Sequence, residues 1–182
     1  VRVNLDSSVQ HWLSGALWNP VTRTFLVASD KTLRVFDSRG TRVLQWHNIV
    51  PSPITTMITD DRQRKVILGT QSGQIFVHNA GNGALMKVAE AHHHRESTCM
   101  NYVPVERTIA SVAWDRTCIV HDETPQHAVE ALRYFPGIHN GDITSVAVSG
   151  PDHVGLIATG STDFTVKLHD YNTARLEAVC EG

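Results

Sequence analysis

Residues 162–170 read Thr-Asp-Phe-Thr-Val-Lys-Leu-His-Asp, and a segment of the same pattern occurs three more times in the chain. The other copies lie at 29–37, 71–79 and 114–122. In each copy a short turn leads into a segment in which apolar and polar residues alternate, a pattern that is typical of a half-buried β-strand. The copies recur at roughly 40 to 48 residues, a period typical of β-propeller blades.

The residues between these copies complete a unit of four strands. Each unit begins with an apolar segment, and a polar turn separates it from a second segment that is more apolar still. The first segments are 13–18, 54–58, 99–103 and 143–148, and the second segments are 25–28, 66–69, 108–113 and 156–159. The sequence therefore predicts an all-β fold of about four blades of four antiparallel strands, approximately 9–46, 47–91, 92–135 and 136–182.

The frame resembles the WD-repeat family, whose units open with Gly-His and close with Trp-Asp. Residues 137–146 are similar to the opening, with one residue inserted between Gly and His, and residues 156–161 are similar to the second strand of a unit. The position of the signature Trp is held by Phe36, His78, His121 and His169. The chain thus resembles a divergent member of this family, whose propellers usually close with seven or eight blades. Because an open stack leaves unpaired strand edges, we expect further blades or a capping partner.

The resemblance implies a hydrogen-bonded network within a blade, built from a His, a Ser or Thr, the turn Asp and the residue in the Trp position. In the fourth unit these residues would be His139, Thr159, Asp163 and His169, and in the third unit His94, Ser111, Asp115 and His121. The same residue types could be taken for a hydrolytic triad. Recurrence of the set in successive units favours a structural role, and a His in place of Trp predicts blades that weaken at mildly acid pH.

The composition favours a protein of a reducing compartment. The formal net charge of -2 and the pI of about 6.6 give no bulk attraction to nucleic acid or to an anionic membrane. No apolar run reaches the ~20 residues that a membrane-spanning helix needs. The odd number of widely spaced cysteines, three, is not a disulfide framework. We therefore expect a cytoplasmic location, with no nucleic-acid or membrane partner.

The motifs give no sign of catalysis, a cofactor or a metal. The sequence contains no phosphate-binding loop, nucleophile elbow, zinc-protease helix or calcium loop. His92-His93-His94 with Cys99 could suggest zinc, but three consecutive histidines point in different directions and one is needed in the network. The sequence therefore predicts no catalytic residue, no cofactor and no metal site. Trp12 and Trp18, beside an apolar segment, are predicted to lie in the core.

A docking surface is expected where the inter-blade loops meet the turns that follow the second strands, because function on a rigid scaffold is carried by loops. The turn tips offer Lys31, Arg116 and an exposed Phe164, an aromatic residue among basic ones, as in protein-binding hot spots. Trp46, His93 and Arg95 from the inter-blade loops are predicted to complete this surface.

The function that fits best is a non-catalytic protein-binding scaffold of a larger cytoplasmic or cytoskeletal assembly. Residues 109–116 and 156–161 are similar to segments of the long WD-repeat proteins of cilia and flagella, which implies an axonemal setting and microtubule-associated structural partners. The alternative is a propeller that targets a multidomain enzyme or regulatory complex. Clustered basic residues, which a nucleic-acid or phosphoinositide binder would need, are absent from the sequence.

Overall fold

The computed structural model describes residues 12–89, 92–149 and 155–181, and this part of the chain consists of four antiparallel sheets with no helix. The first sheet contains β1 (Leu13–Asn19), β2 (Thr24–Ser29), β3 (Thr32–Asp37) and β4 (Arg42–Trp46). The second contains β5 (Ile54–Thr59), β6 (Lys65–Thr70), β7 (Ile75–Asn79) and β8 (Leu85–Val88). The third contains β9 (Ser97–Val103), β10 (Thr108–Ala113), β11 (Cys118–Asp122) and β12 (Glu130–Phe135). The fourth contains β13 (Ile143–Val148), β14 (Leu156–Ser161), β15 (Thr165–Asp170) and β16 (Leu176–Glu181).

Strand order within each sheet follows the order along the chain, so every connection is a hairpin between neighbouring strands. The fold predicted from the repeat, blades of four antiparallel strands, is confirmed. The predicted segments 108–113 and 143–148 coincide with β10 and β13, and the others differ by a few residues at their ends. In the described segments no helix could cross a membrane.

The sheets stack face to face, and their first strands lie next to one another: β1 contacts β5, β5 contacts β9, and β9 contacts β13. An apolar layer fills each gap between sheets, because alternate residues of a strand point to opposite faces. Representative buried residues are Leu26 and Leu68 between the first two sheets, Ile67 and Ile109 between the second and third, and Val120 and Ile157 between the third and fourth.

The inter-sheet loops and the turns after the second strands meet at one end of the molecule, here called the loop end. Each loop leaves a sheet and crosses the turn of that same sheet. The backbone N–H of Ile49 donates to the carbonyl of Lys31 at 2.9 Å, and that of Ile138 donates to the carbonyl of Arg116 at 3.2 Å. The predicted meeting of loops and turns is therefore present in the structure.

Two tryptophans that were predicted to be core residues are not buried. Trp12 is 92% exposed at the loop end, before β1 begins. Trp18 lies on the outward face of the first sheet, 43% exposed, with its ring 4.7 Å from the ring of Phe25. For Trp18 the prediction was wrong because a strand presents two faces, and the apolar pattern of β1 does not say which face the second sheet covers. For Trp12 it was wrong because the residue precedes β1 and lies outside the sheet.

Candidate functional site

A buried chain of hydrogen bonds crosses the third sheet and ends at the loop end. The ring of His93 bonds through Nε2 to Ser111 Oγ at 2.8 Å and through Nδ1 to Thr117 Oγ1 at 2.8 Å. Ser111 Oγ also lies 2.8 Å from Nε2 of His121. Asp115 accepts from the Thr117 hydroxyl at 2.6 Å, and its Oδ1 is 3.3 Å from His93 Nδ1. The network joins the incoming loop, the β10–β11 turn and two strands.

The fourth sheet repeats this arrangement with one link missing. His139 bonds through Nε2 to Thr159 Oγ1 at 2.9 Å, and its Nδ1 is 3.1 Å from Asp163 Oδ2. Thr165 donates its hydroxyl to Asp163 Oδ1 at 2.7 Å. His169 is buried in the equivalent of the His121 position, but among the described residues no hydrogen bond joins its ring to Thr159, whose hydroxyl bonds to His139 and the Lys167 carbonyl. Instead its ring meets Phe135 edge to face at 6.1 Å.

The histidine assignment in the third unit was wrong by one residue. His93 is 1% exposed and belongs to the network, whereas the side chain of His94 is exposed and only its backbone N–H reaches the site, donating to Asp115 Oδ2 at 2.7 Å. In a loop with three consecutive histidines no sequence period shows which ring faces inward. His93 consequently leaves the predicted docking surface, because a buried ring cannot contact a partner.

Two network members, Thr117 and Thr165, were not predicted. Each follows the turn Asp by two residues, and each both caps the turn and bonds to the histidine Nδ1. Asp-x-Thr recurs in the first, third and fourth units and was the available signal, because a Thr hydroxyl two residues after Asp can close the turn locally. The first sheet, with Val27 at the Ser111 position, has no hydroxyl there.

The network keeps the carboxylates charged and the histidines on β11 and β15 neutral. Burial alone would raise the pKa of Asp115, but hydrogen bonds from His93, Thr117 and the His94 N–H hold that pKa well below its usual range. Burial would also raise the pKa of Asp163, but hydrogen bonds from Thr165, the Asn140 N–H and His139 lower it in the same way. Burial lowers the pKa of His121 to about 3, with a further contribution from His93, and burial also lowers the pKa of His169.

The geometry of this network is that of a structural brace. Ser111 Oγ is fully buried between two imidazole rings and also contacts the Ile119 carbonyl at 3.3 Å. A nucleophilic serine must face a space that a substrate can enter, and this one faces packed side chains. The network thus fixes the shape of the turn tips that it supports.

Those turn tips present residues in strained backbone conformations. Arg116 and Phe164 occupy equivalent positions, and both have φ of 65°, a region that bulky side chains rarely adopt. Gly73 holds the same position in the second sheet with φ of 84°. Phe164 is 82% exposed, and Arg116 is exposed as well. The braced turn Asp before each residue stabilises a conformation that otherwise costs about 1–3 kcal/mol.

The remaining predicted docking residues differ in accessibility. Arg95 is exposed at the loop end and Lys31 is half-buried. Trp46 is half-buried among the side chains between the first two sheets, and its ring fills the space above Gly83. It is therefore a packing residue, which its place at the end of a strand did not reveal. Trp114, 42% exposed beside Arg116, was overlooked, although a Trp in a polar turn position was a visible signal.

A charged cluster at the opposite end joins the second and third sheets. Glu123 is almost fully buried and accepts from the ammonium groups of both Lys65 and Lys87, the latter at 2.8 Å. Lys87 also donates to the Glu123 carbonyl. Burial, together with Glu123 and two nearby aspartates, raises the pKa of Tyr102 to about 12. Within the described residues, no three His, Cys, Asp or Glu side chains are placed to hold a metal ion.

Comparison with known proteins supports the architecture. A family model described as "WD domain, G-beta repeat" matches residues 131–170. The match starts in β12, the outer strand of the third sheet, and ends with β15, so the sequence repeat is offset by one strand from the sheet. No curated protein matches the chain. The match covers a single repeat, and the four described sheets of four antiparallel strands are consistent with WD-repeat propeller blades.

Proposed function

We propose that this chain is a non-catalytic scaffold that binds other proteins through its loop end. WD repeats generally mediate protein–protein interaction. The observation that supports this surface is Phe164, which is 82% exposed in a strained conformation that Asp163 and its network brace. Aromatic anchors held rigid before binding lose little entropy on association, so they contribute strongly to affinity.

The proposed docking surface follows the loop end from the first sheet to the fourth. It comprises Lys31, Arg95, Arg116 and Phe164, extended by Trp114. Three of these residues are cationic and two are aromatic. Aromatic residues and arginine are enriched in protein interfaces, whereas lysine is depleted there. The surface therefore suits a partner with an apolar pocket surrounded by acidic residues.

We propose further that the assembly is cytoplasmic and cytoskeletal, with axonemal, microtubule-associated structural proteins as partners. The support is the likeness of residues 109–116 and 156–161 to long WD-repeat proteins of cilia and flagella. This finer proposal stands apart from the docking surface, and the same experiment tests both.

The test is proximity labelling with the full-length protein in its own cells. The variant Phe164→Asn, Arg116→Glu removes the aromatic ring and reverses a charge, and Asn tolerates positive φ. The matched control, Val105→Ser, Arg107→Glu, makes the same kinds of change in the exposed β9–β10 turn at the opposite end. We expect the first variant to lose its partners and the control to keep them, with unchanged melting temperatures for both.

Each outcome decides one part of the proposal. Retention of all partners by the Phe164→Asn, Arg116→Glu variant would show that the docking surface is wrong. Loss of partners that are not cytoskeletal would support the surface and reject the axonemal setting. Recovery of a small-molecule-processing complex would favour a propeller that targets an enzyme.

A further inference from the structure

A cleft at the loop end has a different chemistry from the basic turn tips around it. It has a volume of about 520 Å³ and lies where the first three sheets meet. Trp12, Asp30, Gln71 and Glu96 contribute its polar and aromatic lining, and Pro53 and Ile54 contribute apolar surface. Among the described residues no lysine or arginine lines it, so Asp30 and Glu96 give this lining a negative formal charge.

Both carboxylates in this cleft lack a partner in the described part of the chain. Asp30 aligns with Asp115 and Asp163 in the sequence repeat, but its φ of 52° shows a different turn conformation. In the described structure its side chain forms neither a hydrogen bond nor an ion pair. Glu96 is likewise unpaired, although it is half-buried. Burial raises the pKa of Glu96, because its partly desolvated carboxylate has no cationic partner among the described residues.

The cleft that holds these carboxylates is also lined by an indole, that of Trp12. Trp12 is 92% exposed, more than any other large apolar side chain in the described structure. The face of an indole attracts cations more strongly than the face of any other side chain. A cleft lined by an accessible Trp and two unpaired carboxylates is a suitable environment for a guanidinium or an ammonium group with an aliphatic stem.

We propose that this cleft binds an arginine or lysine side chain of a protein partner. The ammonium or guanidinium group lies against Asp30 and Glu96, and the aliphatic stem packs on Trp12 and Pro53. The inference rests on the proposed scaffold function. It adds a second contact to the Phe164 tip and the Arg116 tip, and the negative charge of this contact is opposite to that of Arg116. A partner segment that carries both acidic and basic residues would then bind in one direction only, because electrostatic complementarity sets register.

The experiment uses three probes: N-acetyl-arginine amide, N-acetyl-lysine amide and the neutral N-acetyl-norleucine amide. The readout is the NMR signal of the Trp12 indole N–H, which a Trp12→Phe variant assigns among the four tryptophans of the chain. We expect the two cationic probes to shift this signal in a saturable way and the norleucine probe to bind at least about threefold more weakly, since one exposed ion pair contributes about that factor.

Charge-removing variants locate the effect. Glu96→Gln and Asp30→Asn should each raise the dissociation constant about threefold, and the double variant about tenfold, since each removes one exposed ion pair. The matched control is Asp142→Asn, because Asp142 precedes β13 as Glu96 precedes β9 but does not line the cleft. Equal weakening by Asp142→Asn, or equal binding of the norleucine probe, would overturn the assignment.

This failure is distinguishable from failure of the scaffold function. If Phe164→Asn, Arg116→Glu loses its partners while neither cleft variant affects the probes, the docking surface stands and the cation site is wrong. If the probes bind as expected and that variant keeps its partners, the cation site stands and the turn-tip surface is wrong.

Discussion

Lowering the pH from 7.5 to 5.5 should destabilise this protein, and the buried histidine on β11 supplies a defined share of the loss. His121 is fully buried, and burial holds its pKa at about 3 against 6.5 for a free histidine. The unfolded chain therefore binds a proton in this pH range that the folded chain cannot bind. The stabilisation is complete above pH 6.5 and is lost progressively as the pH falls towards 3.

The magnitude follows from the two pKa values. Between pH 7.5 and 5.5 the unfolded state gains about 1.4 kcal/mol relative to the folded state from this one residue. For a domain of this size the loss lowers the melting temperature by about 3–6 °C. Burial lowers the pKa of His78 and of His169 too, so both add to the loss with the same sign.

The assay is a thermal melt at the two pH values for the wild type and for His121→Phe. Phe36 occupies the equivalent position in the first sheet, so a phenyl ring suits this part of the fold. The substitution also removes His121 Nδ1, which is buried without a hydrogen-bond partner. We expect the variant to lose about 3–6 °C less than the wild type on acidification. The exposed control His127→Asn should keep the full wild-type dependence.

An identical pH dependence in the wild type and His121→Phe would refute the reasoning, as would a melting temperature that rises on acidification. The first result would mean that His121 is protonated in the folded state. The second would mean that groups stabilised by protonation outweigh all three buried histidines.

Three further substitutions test the packing and the networks by chemical denaturation. Gly73→Ala should destabilise the protein by about 2–3 kcal/mol, because φ is 84° and a Cβ would collide with the backbone of the loop that crosses it. The control Gly155→Ala should be near neutral, because there is open space around Gly155. Ser111→Ala should lose about 1–3 kcal/mol, because it leaves two buried imidazole nitrogens unpaired. Glu123→Gln should lose about 3–5 kcal/mol, because Lys87 stays buried without its carboxylate. Losses below 0.5 kcal/mol in any of the three would contradict the contacts on which that prediction depends.

The repeat pattern determined the local structure almost completely. The alternation in residues 162–170 and in its three copies specified strands, because strand side chains point alternately to two faces, and the apolar second segments specified the middle of each sheet. The family match to residues 131–170 includes residues 137–146 and 156–161, which resemble the opening and the second strand of a WD-repeat unit. Local periodicity and turn chemistry are properties of neighbouring residues, which the sequence contains directly.

Tertiary structure alone decided which side chains face solvent. Three consecutive histidines offered three rings, and the crossing of the loop over Gly73 turned His93 inward and His94 outward. Trp18 and Trp46 have similar apolar surroundings in the sequence, yet only Trp46 faces the second sheet. The cleft between Trp12, Asp30 and Glu96 joins residues from three units. Contacts of this kind depend on how the sheets stack, and the stacking places together residues that no local pattern relates.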